Sequence, residues 1–93
     1  MKSVINGKLF DTSKMEVLIE RDCHNNGNYI GAQKLLITKS GLLAFVQESN
    51  APIAMGNSLE AVDKPTAKDL IDGWDVDDEA EAALLANGLI AAA

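Results

Sequence analysis

A single cysteine, a single histidine and a single tryptophan in 93 residues leave little material for catalysis or metal binding. Cys23 has no partner within the chain, so an internal disulfide is excluded, and a free thiol fits a reducing compartment. One Cys and one His do not make a zinc tetrad. His24 is adjacent to Cys23, and neighbours in extended chain point opposite ways, so the two form a poor nucleophile–base dyad. No apolar run approaches the length that crosses a bilayer. The opening Met1–Gly7 reaches Asn6-Gly7 before a signal-peptide core could form, which leads us to expect a cytoplasmic protein with no membrane contact.

Basic residues are also scarce where they would matter for nucleic acid. Positions 1–50 hold six basic and five acidic side chains, whereas 51–93 hold two basic and nine acidic ones, for a net of −7. Asp69, Asp72, Asp75, Asp77, Asp78, Glu79 and Glu81 fall within thirteen positions that contain no Lys or Arg. Phosphate contacts need clustered cations, so direct binding of DNA or RNA is not expected; the patch suits a basic protein surface instead. Its plainer reading is a solvated helical face.

Nor are there glycines at nucleotide-binding spacing. The alternation of Asp75, Asp77 and Glu79 imitates the start of a calcium loop. Its sixth position is Ala80 where Gly is needed, and its twelfth is Ala86 where a bidentate Glu belongs. No metal, cofactor or catalytic set is therefore assigned, and no enzyme activity is expected.

What the chain does contain is enough apolar material, 47% of residues, for one core and one domain spanning 1–93. Asn6-Gly7 between Val4-Ile5 and Lys8–Phe10 predicts a hairpin, because a two-residue type I′ turn needs positive φ at both positions. Asp11 can cap a short helical turn through Ser13–Met15. Glu16–Arg21 reads as a strand, and Asp22–Asn28 as a loop on its polar turn residues. Tyr29–Thr38 and Leu42–Glu48 read as strands joined by Lys39-Ser40-Gly41. The second is apolar on both faces and so central to a sheet. Ser49–Pro52 is a loop, and a last strand is expected within Ile53–Val62, with Gly56-Asn57 marking a bulge or turn.

The period then changes from two to helical. Ala67, Leu70, Ile71 and Trp74 form one stripe, with Asp63 as N-cap, Pro65 in the first turn and Gly73 helping to end the helix. A second helix is expected after Asp75 as cap, with Val76, Ala80, Ala83 and Leu84 as its stripe and Asn87-Gly88 as its stop. The fold class is α+β: 1–62 form mostly antiparallel sheet, 63–88 two short acidic helices, and 89–93 an apolar tail that either frays, continues the helix or packs on a second copy. As the only Trp, on a helix stripe, Trp74 reads as core; its alternative is an interface anchor beside the acids.

The run Ile5-Asn6-Gly7-Lys8-Leu9-Phe10-Asp11-Thr12 resembles the start shared by many short acidic proteins of bacteriophages, plasmids and other mobile elements. Gln33–Phe45 resembles that group's strand–turn–strand hairpin, and Asp63–Trp74 its capped acidic helix. The group includes anti-CRISPR-like inhibitors. The resemblance implies a non-enzymatic inhibitor that binds a host protein or nucleoprotein complex, a CRISPR effector above all. Effectors of that kind hold nucleic acid in basic channels. The expected contact surface is Asp69, Asp72, Asp75, Asp77, Asp78, Glu79 and Glu81 as a nucleic-acid-like patch, with Trp74 as anchor. The alternative is a mobile-element accessory protein that self-associates as a homodimer or scaffolds.

Overall fold

The computed structural model describes residues 1–50 and 56–93. Strands β1 (Lys2–Ile5) and β2 (Lys8–Asp11) pair antiparallel around Asn6 and Gly7, whose φ angles of 52° and 75° give the left-handed turn that Asn-Gly favours. The Asp11 carboxylate then accepts the backbone N–H of Ser13 at 3.1 Å and the Ser13 hydroxyl at 2.7 Å, capping a 3-10 turn over Thr12–Lys14.

A second, four-stranded sheet follows as an antiparallel meander, β3 (Glu16–Asn25), β4 (Asn28–Ile37), β5 (Leu43–Ser49) and β6 (Ser58–Val62), in spatial order β3-β4-β5-β6. The expected loop over Asp22–Asn28 is thus corrected: β3 and β4 run on to Asn25 and Asn28 and close on a two-residue turn at Asn26-Gly27. Asn26 and Gly27 have φ of 52° and 81°, repeating the conformation at Asn6-Gly7. The polar residues of that stretch are exposed because the hairpin projects beyond β5, whose register with β4 ends at Ser49 opposite Gly31. Between β4 and β5, Thr38–Leu42 closes tightly: the Leu42 N–H donates to the Thr38 hydroxyl at 2.9 Å, and Gly41 takes φ of 92°. Ala51, Pro52 and the Ile53–Met55 part of the expected last strand lie outside the described residues; β6 occupies the remainder from Ser58.

The two faces of the sheet are filled differently. Ile19, Leu35, Ile37, Leu43, Phe45 and Val62 share one face by register, and the helices cover it. Helix α1 (Lys64–Ile71) contributes Ala67 and Ile71, helix α2 (Asp78–Ala86) Ala80 and Leu84, and Trp74 from the connection completes the cluster. On the opposite face Ala32, Leu36, Ala44 and Val46 are buried, so β4 and β5 are covered on both sides as a central pair. Phe10 is the buried hydrophobe of the first hairpin, and β1 runs beside β6. This is an α+β architecture of antiparallel sheets with two late helices.

Capping sets the helix boundaries. Asp63 accepts the Thr66 N–H at 2.9 Å and caps α1, with Pro65 in the first turn where its missing donor costs nothing. The cap of α2 is Asp77, not the expected Asp75: its carboxylate accepts the Ala80 N–H at 2.8 Å. Val76 therefore precedes the helix and is 42% exposed rather than part of its stripe. At the far end Gly88 N–H donates to Leu85 O at 3.2 Å and Leu89 N–H to Leu84 O at 2.9 Å, with Gly88 at φ of 68°. That pair of bonds is a Schellman motif, whose hydrophobic contact is supplied by Leu84 and Leu89, both buried. None of the three roles open to the apolar tail describes its first two residues, which turn back onto the chain's own core. Leu89 belongs to the core and Ile90 packs against it, which leaves Ala91–Ala93 exposed.

Candidate functional site

The irregular segment leading into α2, the first turns of α2 and strand β3 of the main sheet line a groove of about 320 Å³. It is lined by the apolar residues Val17, Leu18, Ile19, Ala80 and Ala83 and by the acids Glu16, Glu20, Asp75, Asp77 and Glu79. No Lys or Arg lines it among the described residues. Three of the acids expected as a contact surface, Asp75, Asp77 and Glu79, are therefore brought together here. Two others join them that the sequence pattern did not single out. Glu16 and Glu20 lie some sixty residues away along the chain and meet the helix only through the fold.

Each of these acids is held by a distinct element. Asp77 is fixed by its capping bond, and Glu79 extends from the first turn of α2, where negative charge complements the helix dipole. Glu16 and Glu20 are exposed on β3. Glu20 is partly balanced by Lys34, whose ammonium lies 3.4 Å from it and 3.4 Å from Glu48. Burial works against the Lys34 charge, but Glu48 and Glu20 outweigh it and hold the ammonium's pKa above its ordinary value. By contrast, no side-chain hydrogen bond or ion pair among the described residues engages Glu16, Asp75 or Glu79.

The remaining expected contact residues lie elsewhere. Asp72 borders a second, more apolar groove with Lys68, Trp74, Val76 and Leu89, on the other side of the α1–α2 connection. Asp69, Asp78 and Glu81 are exposed and line neither groove.

Trp74 takes the core position. It is 9% exposed, its ring centre lies 6.2 Å from that of Phe45, and the Arg21 guanidinium stacks 4.5 Å above it. Arg21 is steered there by a ladder of side-chain bonds across the sheet. Its Nε donates to Gln33 Oε1 at 2.9 Å, Gln33 Nε2 donates to Gln47 Oε1 at 3.1 Å, and Gln47 Nε2 donates to the Gly56 carbonyl at 3.1 Å. The Arg21 guanidinium thus covers one face of the indole, while Trp74 also borders the second groove.

Cys23 and His24 sit on the projecting hairpin. His24 pairs with Tyr29 across the strands, their rings edge to face at 5.8 Å, and Cys23 pairs with Gly31. Among the described residues no group of three or more His, Cys, Asp or Glu side chains is arranged to hold a metal ion, and no helix is long and apolar enough to cross a membrane. Comparison with family models, with curated proteins and with solved structures gives no match.

Proposed function

We infer that this chain works without catalysis, by presenting an acidic surface to a basic protein or nucleoprotein partner. On the resemblance of its opening motif and hairpin to mobile-element proteins, we read it as a phage-encoded inhibitor of the anti-CRISPR kind. The partner class that follows is a CRISPR effector, acting in the cytoplasm of a bacterial host. The observation that carries this reading is the groove between β3 and α2, which five carboxylates line and, among the described residues, no Lys or Arg does.

Charge of this density raises the on-rate for a basic surface and disfavours acidic ones, and its contribution falls with salt. An effector channel that accepts a nucleic-acid backbone offers such a surface. The test is target-DNA binding by guide-loaded effector complexes, measured with and without the chain. The comparison is a variant carrying Glu16→Gln, Asp75→Asn, Asp77→Asn and Glu79→Gln, in which the amide introduced by Asp77→Asn retains an oxygen able to cap α2. The intact chain should reduce DNA binding, more at low salt than at high, and the variant should lose most of that effect. Equal inhibition by the two proteins refutes the acidic mechanism.

A second reading, an accessory protein that self-associates, is favoured by one observation. Val4 and Leu9 face each other across the first hairpin and are 70% and 61% exposed. Sedimentation of the intact chain beside a Val4→Thr, Leu9→Thr variant separates the two readings. A dimer lost in the variant, with no inhibitory activity in either protein, favours the accessory role.

A further inference from the structure

The groove between β3 and α2 has a property that an acidic patch on a helix would lack. Its wall on the sheet side is made by Glu16, Val17, Leu18, Ile19 and Glu20, consecutive residues of one strand. Side chains alternate along a strand, so a groove lying on a sheet face is lined by every second residue. A groove lined by consecutive residues runs along the strand's edge, on the side away from β4. Among the described residues β3 is the terminal strand of its sheet and pairs only with β4. None of its backbone groups finds a partner elsewhere among the described residues. A bulge at Leu18, between Val17 and Ile19, sends two successive apolar residues into the protein.

We propose that β3 is a docking edge: an extended, Lys- or Arg-bearing segment of the partner adds to the sheet as a further strand, lying between β3 and the start of α2. This rests on the acidic-surface reading above and specifies how that surface is used. Main-chain hydrogen bonds to β3 supply affinity, as in strand addition generally, and alternate side chains of the guest supply selectivity. Glu16 shares its sheet face with the helices by register, opposite Ile37, while Glu20 lies on the other face, opposite Lys34. A guest strand therefore directs one set of alternate side chains towards Glu16, Asp75, Asp77 and Glu79, and that is the set expected to be basic.

A second copy of this chain is a poor occupant of the same edge. Pairing β3 with its own counterpart gathers the groove acids of both copies, Glu16, Asp75, Asp77 and Glu79, along one face of the seam, and like charges brought together there repel. Edge strands that carry charge and a bulge resist self-pairing for this reason.

The probe is a capped peptide of alternating Lys and Val, about six residues long to span Glu16–Glu20 at roughly 3.3 Å per residue. Three companions complete the set: a Glu–Val counterpart and two N-methylated forms, one methylated on the odd and one on the even backbone nitrogens. In a strand only every second N–H faces the neighbour. One methylated form should therefore bind like the parent, and the other at least tenfold more weakly. Amide hydrogen exchange over residues 16–20 should slow on adding the parent peptide.

If both methylated forms bind like the parent, side-chain charge alone holds the peptide; strand addition is then refuted while the acidic-surface reading stands. If the Lys–Val peptide binds no better than the Glu–Val one, both fall. If exchange over residues 16–20 is slow without peptide and depends on protein concentration, the edge is occupied by a second copy, and that overturns the proposal.

Discussion

Leu84 and Leu85 are neighbours on α2 with the same side chain and opposite surroundings, 0% and 43% exposed. Truncating each to Ala applies one chemical change to two environments, with helix propensity altered equally. Leu84 lies in the cluster that joins both helices to the sheet, and it also provides the hydrophobic contact of the Schellman motif through Leu89. Its removal forfeits the transfer energy of the lost methyl groups and leaves a cavity that rigid sheet neighbours such as Leu35 cannot fill. That combination costs about 3 kcal/mol, in a range of roughly 2–5 for buried leucines. Leu85→Ala loses far less buried area and should cost under about 0.5 kcal/mol. For a domain of this size, total stability is of order 5–14 kcal/mol, so Leu84→Ala consumes a sizeable share. Urea denaturation reads the difference directly. With a slope near 1–1.5 kcal/mol/M, the Leu84→Ala midpoint should fall by roughly 2–3 M, and that of Leu85→Ala by no more than about 0.5 M. Equal shifts for the two variants would refute the packing of α2 described above.

The two remaining predictions probe the acids that serve the fold. Asp77→Ala should destabilise by about 1 kcal/mol through loss of the α2 cap, whereas Asp75→Ala should be nearly neutral; denaturant midpoints that reversed this order would move the helix start back to Asp75. The carboxyls of Asp11 and Asp63 are held below their ordinary value of 3.8, chiefly by hydrogen bonds from Ser13 and Thr66. A depressed carboxyl stabilises the native state fully above its unfolded value, and the contribution disappears as pH falls through the native one. Stability should therefore drop below about pH 4, and the Asp11→Asn, Asp63→Asn variant should show a shallower acid slope by thermal melts across pH 2–6.

Much of the fold was legible because turn and cap chemistry is local. Asn6-Gly7, Asp11, Asp63-Lys64-Pro65 and Asn87-Gly88 each declare a conformation from adjacent residues alone. Where local chemistry and tertiary context diverge, the reading failed. Asp22–Asn25 is polar, yet it continues β3 because antiparallel pairing with β4 satisfies its backbone whatever its side chains do. The signal there is the Asn26-Gly27 dipeptide, the same pair that turns the first hairpin at Asn6-Gly7. For α2, three closely spaced aspartates offered competing caps, and the choice of Asp77 follows from burying Ala80 and Leu84, which fixes the helix phase. The role of Leu89 stayed open in the sequence since it depends on reversing direction at Gly88. As for the groove, its helical acids could be read from the run 69–81, but Glu16 and Glu20 could not, because only the packing of α2 on β3 unites them.

The acids divide by what else accounts for them. Asp11, Asp63 and Asp77 cap turns, so their carboxylates would be needed in any protein with this backbone. Asp78, Glu79 and Glu81 sit in the first turn of α2, where the dipole alone gives them a modest stabilising role. Glu16 has neither excuse: it starts a strand, engages no cation among the described residues, and faces the same space as Asp75 and Glu79. Repulsion among these groups opposes the compact state. A negative edge on β3 does bring one general benefit, the suppression of pairing between copies. The same charges that reject another acidic edge lower the free energy of a basic one, so protection from self-association and selectivity for a basic strand follow from a single arrangement. Neutralising Glu16 alone bears on both, which makes that residue the most informative one in the groove.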